Sequence, residues 1–254
     1  MDNTLIKEGK FEYYEQGEGT PIIVLHGLMG GLSNFKDLFA YFPKRGYKII
    51  IPQLPLFKLS IIKTNVKNLS KYLNDFMEHK RIDKAILLGN SLGGHVALYF
   101  TKYNPDKVIG LVLTGSSGLY EKSMGNTFPK RGNKAYITEK VQDVFYDPAV
   151  ATDEIIDEVF ETVGDNNKVI RILYLAKSAI RHNMKKDIPN IKVPVSLIWG
   201  KNDGVTPPEV AEEFHELLPD SELNWIDKCG HAPMMEHPET FNTMVEAWLK
   251  KHNF

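Results

Sequence analysis

Residues 85–94 read Ala-Ile-Leu-Leu-Gly-Asn-Ser-Leu-Gly-Gly, and this stretch predicts a strand, a tight turn and the start of a helix. Its first four residues are apolar, which is typical of a strand buried on both faces. A Gly-x-Ser-x-Gly turn between a strand and a helix lifts the serine hydroxyl clear of the sheet. Side chains at Gly89 and Gly93 are expected to clash with the neighbouring helix and strand. The stretch therefore predicts that Ser91 is a nucleophile.

Short apolar runs and helical patterns alternate on either side of this stretch. The runs cover residues 22–25, 48–51, 108–113 and 195–199, and amphipathic patterns cover residues 66–77, 92–103, 208–218 and 241–249. This alternation predicts an α/β fold, with a mostly parallel doubly wound sheet of about eight strands. Residues 11–15 mix aromatic and charged side chains and predict an antiparallel edge strand.

Residues 116–189 interrupt the alternation with helical patterns and no convincing buried strand. Three amphipathic segments cover residues 134–145, 152–163 and 167–182. They are interpreted either as surface helices that cover the sheet or as a helical cap over a pocket. The insertion greatly exceeds the usual connection of about 4–6 residues, which favours the cap. We therefore expect a core of residues 1–115 and 190–254 with a cap at 116–189.

Two side chains that follow later strands can activate the serine. Asp203 follows the apolar run at 195–199, and His231 follows a predicted strand at 222–226. The carboxyl ends of parallel strands meet at one edge of a sheet, so Ser91, Asp203 and His231 are expected to converge there. A hydroxyl needs a base to take its proton, and the base needs a carboxylate to orient it.

Asp203 and His231 also have structural interpretations. Asp203 precedes a glycine, as turn aspartates often do, and His231 could be a loop histidine. Asp227 lies four residues from His231 on the same loop, and Asp187 precedes a strand at the wrong end of the sheet. The conjunction of three residues in the order Ser91, Asp203, His231 favours the catalytic interpretation.

A glycine-rich turn after the first buried strand predicts an oxyanion hole. Residues 26–31 read His-Gly-Leu-Met-Gly-Gly, and glycines leave backbone N–H groups unobstructed. The expected donors are the N–H of Leu28, with Met29 as the alternative, and the N–H of Leu92. His26 is interpreted as a brace for this loop, without a proton-transfer role.

Together these motifs resemble the α/β-hydrolase superfamily over nearly the whole chain. The matching segments are His-Gly-Leu-Met-Gly at 26–30, Gly-Asn-Ser-Leu-Gly-Gly at 89–94, Trp-Gly-Lys-Asn-Asp at 199–203, and Cys-Gly-His at 229–231 followed by Glu-His-Pro at 236–238. The resemblance implies a Ser-His-Asp hydrolase with a lid between the sixth and seventh strands. Within the superfamily the chain looks most like carbon-carbon bond hydrolases of aromatic meta-cleavage pathways, and carboxylesterase-like members look similar.

The expected function is hydrolysis of a small, largely apolar ester-like or carbonyl substrate, in the carboxylesterase class (EC 3.1.1). Cleavage of a carbon-carbon bond in a dienone acid, lyase or perhydrolase chemistry with the same residues, and non-catalytic ligand binding remain alternatives. Met29, Asn90, Tyr136 and Phe145 are expected to contact the substrate.

Two departures from the family pattern bear on the substrate. The turn at residues 51–57 reads Ile-Pro-Gln-Leu-Pro-Leu-Phe, where the family has a glycine-rich turn. Carbon-carbon hydrolases of the family hold a substrate carboxylate with a cap arginine. Arg171 and Arg181 are the candidates here, and neither aligns convincingly with that position.

Composition excludes several other classes of protein. The 254 residues carry a net charge of -1, which gives no global attraction to nucleic acid or anionic membranes. Cys229 is the single cysteine, so no internal disulfide forms and a reducing, cytoplasmic setting is expected. No ligand spacing for a metal and no complete nucleotide-binding motif occurs, so we expect neither metal nor cofactor. The expected partner is a small-molecule substrate, with neither nucleic acid nor a membrane as a partner, and the oligomeric state stays open.

Overall fold

The computed structural model describes residues 4–120 and 130–254. In this part of the chain, eight strands form one sheet in the order β1-β2-β4-β3-β5-β6-β7-β8. The strands are β1 (Ile6–Glu8), β2 (Phe11–Gln16), β3 (Thr20–Leu25), β4 (Tyr47–Pro52), β5 (Ala85–Asn90), β6 (Val108–Thr114), β7 (Val195–Gly200) and β8 (Ser221–Ile226). The pairs β1–β2 and β2–β4 are antiparallel, and the remaining neighbours are parallel. This sheet confirms the predicted fold class.

Helices cover both faces of the sheet. They are α1 (Lys36–Tyr41), α2 (Val66–His79), α3 (Leu92–Tyr103), α4 (Lys134–Gln142), α5 (Asp153–Gly164), α6 (Asn166–Arg181), α7 (Pro208–Leu217), α8 (Pro233–Glu236) and α9 (Pro238–Lys251). Strand β5 shows why its sequence is continuously apolar. Leu87 packs into a core with α2, α3 and α7, whereas Ile86 and Leu88 pack into a second core with α1 and α9. Alternate side chains of a strand point to opposite faces, so both sets are buried.

The prediction for residues 11–15 is wrong in one respect. These residues form the antiparallel strand β2, but β2 is not at the edge, because β1 pairs with its outer side. Strand β1 has three residues, and its side chains are exposed or half-buried. It therefore has no apolar pattern by which the sequence could reveal it.

Between β6 and β7 the described residues form three α-helices, α4, α5 and α6, which we call the inserted helices. Their bounds agree with the three predicted amphipathic segments to within a few residues, and the described residues between β6 and β7 contain no strand. The insertion leaves the sheet at the carboxyl end of β6, beside the end of β5 that carries Ser91. None of the described helices is long and apolar enough to cross a membrane.

Candidate active site

Ser91 occupies the turn between β5 and α3 in a strained backbone conformation. Its φ is 53° and its ψ is -121°, a region that residues with side chains rarely adopt, at a typical cost of about 1–3 kcal/mol. The turn is held by backbone hydrogen bonds. The N–H of Ser91 donates to Thr114 O at 3.2 Å, and Ser91 O accepts from Ser117 N at 3.1 Å and from His95 N at 3.2 Å.

The glycines on either side of Ser91 are required by close backbone approach. A Cβ on Gly89 would lie 2.5 Å from the backbone N and Cα of Gly94, and a Cβ on Gly93 would overlap the carbonyl of Leu25 in β3. Backbone atoms cannot swing aside as a flexible side chain can. The sequence prediction that these two positions exclude side chains is therefore confirmed.

Asp203 lies buried in the loop after β7 and accepts four hydrogen bonds. Its Oδ1 accepts from the backbone N–H groups of Val205 at 2.8 Å and Thr206 at 2.9 Å. Its Oδ2 accepts from the Thr206 hydroxyl at 2.8 Å and lies 2.9 Å from Nδ1 of His231. An ionised carboxylate only accepts, so this contact makes Nδ1 the protonated nitrogen of a neutral His231 ring. Nε2 on the other side of the ring is then free to act as a base.

The end of β6 brings Ser91 and His231 to the same place. Ser91 donates to Thr114, and the ring of His231 packs against the next residue, where a Cβ on Gly115 would lie 2.8 Å from Nδ1. The side-chain amide of Asn90 ties the two together, because its Nδ2 donates to Thr114 O at 3.1 Å and to His231 O at 3.2 Å. The Ser91 hydroxyl itself makes no hydrogen bond to another described residue.

The glycine-rich loop after β3 lies directly against Ser91. A Cβ on Gly27 would be 3.4 Å from Cβ of Ser91. The N–H groups of Leu28 and Leu92 donate to no described residue, and that of Leu92 is the first of helix α3, where no intrahelical acceptor exists. Two unused N–H donors therefore flank the turn that carries Ser91.

His26 fixes the shape of this loop. Its Nε2 accepts from the N–H of Leu54 at 3.0 Å, and its Nδ1 lies 2.8 Å from Gly27 O, which fixes the proton on Nδ1. Burial lowers the pKa of His26 from its ordinary value, so the ring stays neutral. The loop after β3 is thereby braced against the loop after β4, as the sequence predicted.

A cavity of about 270 Å³ opens beside the loop after β3. Its floor includes Leu28 and Met29 from that loop, together with Gln53 and Phe57 from the segment after β4. Residues of α5 and one residue of α6 form the opposite wall; they are Glu158, Val159, Glu161, Thr162 and Lys168. The cavity thus lies between the carboxyl edge of the sheet and the inserted helices.

Glu236, at the end of α8, joins residues 227–232, which we call the histidine loop, to the segment that follows α4. Its Oε1 accepts from Gly230 N at 2.8 Å, and its Oε2 accepts from Tyr146 N at 2.7 Å. The N–H of His231 donates to Val144 O at 2.9 Å. A Cβ on Gly230 would lie 2.5 Å from Val144 O, so the segment after α4 is in backbone contact with the histidine loop.

The residues expected to contact substrate are found in different settings. Met29 lines the cavity. Asn90 is buried below Ser91, where its Nδ2 serves two backbone carbonyls. Phe145 is buried in the core shared with α1 and α9, and Tyr136 packs at its margin with Lys130 Nζ 5.0 Å from its ring centre. Of these four residues, the described cavity lining includes Met29 alone.

Neither candidate arginine lines the cavity. Nε of Arg171 donates to Leu59 O at 3.1 Å, and its Nη1 donates to Asn167 O at 3.0 Å. Arg181 lies exposed at the end of α6. Cys229 is buried, and burial raises the pKa of its thiol, as expected for a packing residue. Within the described residues, no cluster of three or more His, Cys, Asp or Glu side chains could hold a metal ion.

Two residues with a role in this geometry were missed by the sequence analysis. Thr206 gives Asp203 both its N–H and its hydroxyl, and its position three residues after the aspartate is the signal that could have found it. Glu236 contacts Tyr146 across 90 residues. Its segment, residues 236–238, belongs to a motif that resembles the family pattern, but spacing in the sequence does not reveal the contact partner.

Comparisons with known proteins agree with this geometry. The family model described as "alpha/beta hydrolase fold" matches residues 20–145 and 153–238. The chain is 27% identical to a 2-hydroxy-6-oxo-6-phenylhexa-2,4-dienoate hydrolase of Burkholderia cepacia, over 92% of this chain and 89% of that protein. It is 25% identical to the uncharacterized hydrolase YugF of Bacillus subtilis, over 94% of this chain and 93% of that protein.

A solved structure is more similar in sequence. It is MGS-MChE2, described as an alpha/beta hydrolase enzyme from the metagenome of sediments of the Mar Chica lagoon, Morocco. The identity is 52%, the TM-score is 0.83, and the match covers 99% of this chain and 100% of that chain.

Proposed function

The chain belongs to the alpha/beta hydrolase fold family, and on that premise we propose that it is a serine hydrolase. The proposed reaction is cleavage of a small, largely apolar ester. Ser91 is the proposed nucleophile, His231 the base and Asp203 the orienting acid. The inserted helices, within residues 116–189, are the proposed cap over the substrate.

The contact of 2.9 Å between Nδ1 of His231 and Oδ2 of Asp203 carries this proposal. A buried carboxylate with four hydrogen-bond donors has a fixed direction, and it fixes the ring that it contacts. Ser91 adjoins the same end of β6. Catalytic hydrogen bonds often tighten only when substrate is bound, and the open hydroxyl of Ser91 fits that behaviour.

The mechanism follows from these roles. Nε2 of His231 takes the proton of Ser91 as Oγ attacks the ester carbon, and the tetrahedral oxyanion forms beside the N–H groups of Leu28 and Leu92. His231 then gives the proton to the leaving alcohol, and the carbon-oxygen bond breaks. Water, activated by the neutral ring, hydrolyses the acyl-enzyme and restores Ser91.

The cavity favours an uncharged substrate with an apolar part. Its lining includes Met29, Leu54, Leu56, Phe57 and Val159 beside the proposed oxyanion donor Leu28. The charged members are Glu158, Glu161 and Lys168, so the lining is net negative and disfavours a substrate carboxylate.

Cleavage of a carbon-carbon bond in a dienone acid is the second candidate. The 27% identity to the Burkholderia cepacia dienoate hydrolase favours it. Two observations count against it. Arg171 donates to backbone carbonyls instead of reaching the cavity, and Lys168 is the one cationic side chain in the described lining that could pair with a substrate carboxylate. A dienone acid assayed beside esters of graded chain length separates the two candidates.

Replacement of the proposed nucleophile tests the reaction class. Ser91→Ala is expected to abolish turnover of p-nitrophenyl butyrate and labelling by a fluorophosphonate probe, with an unchanged far-ultraviolet circular dichroism spectrum. Ser196→Ala is the matched control, because Ser196 is buried in β7 and its hydroxyl has no hydrogen-bond partner among the described residues. Turnover that survives in Ser91→Ala at the wild-type rate would reject Ser91 as the nucleophile.

A further inference from the structure

The outer face of α6 is apolar and basic. The helix contains Lys168, Arg171, Lys177 and Arg181 and no carboxylate. Its exposed apolar side chains lie three, four or seven residues apart and so on one face; they are Ile170 at 40%, Leu173 at 38%, Tyr174 at 40% and Ile180 at 74% exposed. A helix that only covers a core would expose polar side chains on this face.

A segment after β4 extends this face. It runs along α6, because Nε of Arg171 donates to Leu59 O at 3.1 Å and Val66 N donates to the Ser178 hydroxyl at 3.0 Å. Between these two anchors lies Ile62, which is 83% exposed. Residues 61–67 read Ile-Ile-Lys-Thr-Asn-Val-Lys, again with cations and no acid. We call the outer side of α6 together with residues 61–67 the basic apolar face.

Four cations of this face have no ionic partner among the described residues. Lys63, Lys67, Lys177 and Arg181 are exposed. None of them forms an ion pair with a described residue. The net charge of the whole chain is -1, so this cluster of cations cannot be inferred from the net charge.

Helix α5 offers a contrast that bears on what covers this face. It carries five carboxylates, Asp153, Glu154, Asp157, Glu158 and Glu161, and all are exposed. None of its apolar residues is exposed. A second copy of the chain could therefore present carboxylates from α5 or apolar side chains from α6. If α5 of the second copy covered the face, the apolar side chains of α6 would have no apolar partner. If α6 of the second copy covered it, the cations of the two copies would repel one another.

We infer that the basic apolar face docks on an anionic phospholipid surface. Such a surface supplies anionic headgroups and apolar chains in one partner, and it matches both components of the face. Nucleic acid would satisfy the cations but leave the isoleucines in water. The inner side of the same helix reaches the cavity through Lys168, so docking would bring the cavity close to apolar esters dissolved in the lipid.

Vesicle flotation with the purified protein tests this inference without reference to hydrolysis. The vesicles are phosphatidylcholine alone and phosphatidylcholine mixed with phosphatidylglycerol. We expect at least about ten-fold more protein to float with the anionic vesicles, and high salt to release it by screening. Ser91→Ala is expected to float equally well, so a failed hydrolase proposal would not be mistaken for a failed docking proposal.

Two pairs of substitutions locate the binding surface. Lys177→Glu with Arg181→Glu is expected to abolish flotation while turnover of p-nitrophenyl butyrate stays within about two-fold, since exposed substitutions are usually mild. The matched control is Lys44→Glu with Lys84→Glu. Both control lysines are exposed without a described ion pair, and they precede β4 and β5 at the opposite edge of the sheet.

A third substitution tests the apolar component. Ile180→Ser is expected to weaken flotation at constant charge. The inference is overturned if wild-type protein floats with neither vesicle, if the control pair abolishes flotation as completely as the α6 pair, or if Ile180→Ser leaves flotation unchanged. It is also overturned if sedimentation shows a dimer that the α6 pair dissociates, because a second copy would then cover the face.

Discussion

The histidine loop and the outer face of α6 differ in how many internal contacts their polar and charged groups make. In the histidine loop, the N–H of His231 donates to Val144 O, and its Nδ1 contacts Asp203. The N–H of the preceding glycine donates to Glu236. On α6, Ile180 and the cations Lys177 and Arg181 face solvent, and neither cation forms an ion pair with a described residue. Hydrogen bonds fix the positions of the polar groups in the histidine loop. The outer face of α6 instead presents exposed apolar and basic side chains to solvent.

This difference in contacts predicts which substitutions affect catalysis and which affect binding. Groups held by several backbone hydrogen bonds are suited to a reaction, because a small displacement of a reacting atom is costly. Groups on the inserted helices are suited to selecting what approaches. Substitutions in the first region are therefore expected to lower kcat, and those on the inserted helices to change KM or binding.

The largest effect is expected from Asp203→Asn. The amide is isosteric but presents either one acceptor or an N–H to Nδ1 of His231, and the second arrangement favours the wrong tautomer of the ring. We expect kcat for p-nitrophenyl butyrate to fall by about 10⁴-fold. The control is Asp227→Asn, which removes the other carboxylate near His231, one paired with Lys201 at 2.7 Å. Loss of activity in Asp227→Asn with activity retained in Asp203→Asn would reverse the assignment.

The next effect concerns a buried histidine that contacts the segment after α6. His95 of α3 has Nε2 2.9 Å from the carbonyl of His182, just after α6. Burial lowers the pKa of His95 to about 4. In the unfolded chain the ring takes a proton near its ordinary value of about 6.5. The unfolded state therefore binds more protons between these values, and the stability falls as the pH drops from 6.5 to 4.

Urea unfolding at several pH values measures this contribution. The loss assigned to His95 over this range is about 3 kcal/mol at most. His95→Gln keeps a donor for His182 O but does not titrate, so its stability is expected to depend less on pH. His26, whose pKa burial also lowers, contributes in both proteins. Equal pH slopes for variant and wild type would show that His95 is not the source.

A smaller effect is expected from the link between the histidine loop and the inserted helices. In Glu236→Gln a single side-chain oxygen remains for two N–H groups, those of Gly230 and Tyr146. One N–H then faces an amide N–H, and the histidine loop loosens. We expect kcat to fall about ten-fold with KM nearly unchanged, which is about 1.4 kcal/mol.

The readout separates positioning from simple destabilisation. Glu239→Gln is the control, an exposed glutamate in the first turn of α9. A melting temperature lowered in Glu236→Gln, with kcat unchanged on the protein that stays folded, would give Glu236 a structural role alone.

The fold could be predicted well where local and global signals agree. Helix α3 begins at Leu92 and ends at Tyr103 as predicted, because the tight turn at Ser91 fixes its start. Helices α1 and α8 were not predicted. They have six and four residues, which is too short for an apolar period to repeat. Strand order could not be predicted either, since it depends on pairings between distant segments.

The candidate site divides in the same way. The contact between Asp203 and His231 could be predicted, because each residue follows a strand and the parallel sheet brings strand ends together. The surroundings of Asn90 and Phe145 could not, because proximity in sequence to Ser91 or to the inserted helices does not say which way a side chain points. Asn90 points into the backbone below the turn. Residues 121–129 of the predicted cap lie outside the described residues.

The smallest effect, and the sharpest test of the comparison, comes from the charged wall of the cavity. Glu158 and Glu161 line it but are exposed, so water screens their field and each is worth well under about 1 kcal/mol to a bound anion. Glu158→Gln with Glu161→Gln is expected to lower KM about three-fold for an ester that carries a carboxylate, since that repulsion is removed. KM for an uncharged ester, and kcat for both esters, should stay constant.

The control pair, Asp153→Asn with Glu154→Gln, removes the same charge from the first turn of the same helix, outside the described lining. If both pairs lower KM equally, the effect comes from the overall charge of α5. If the Glu158 and Glu161 pair lowers kcat instead, the inserted helices take part in the chemical step, and the separation between a fixed reaction region and a selecting one fails.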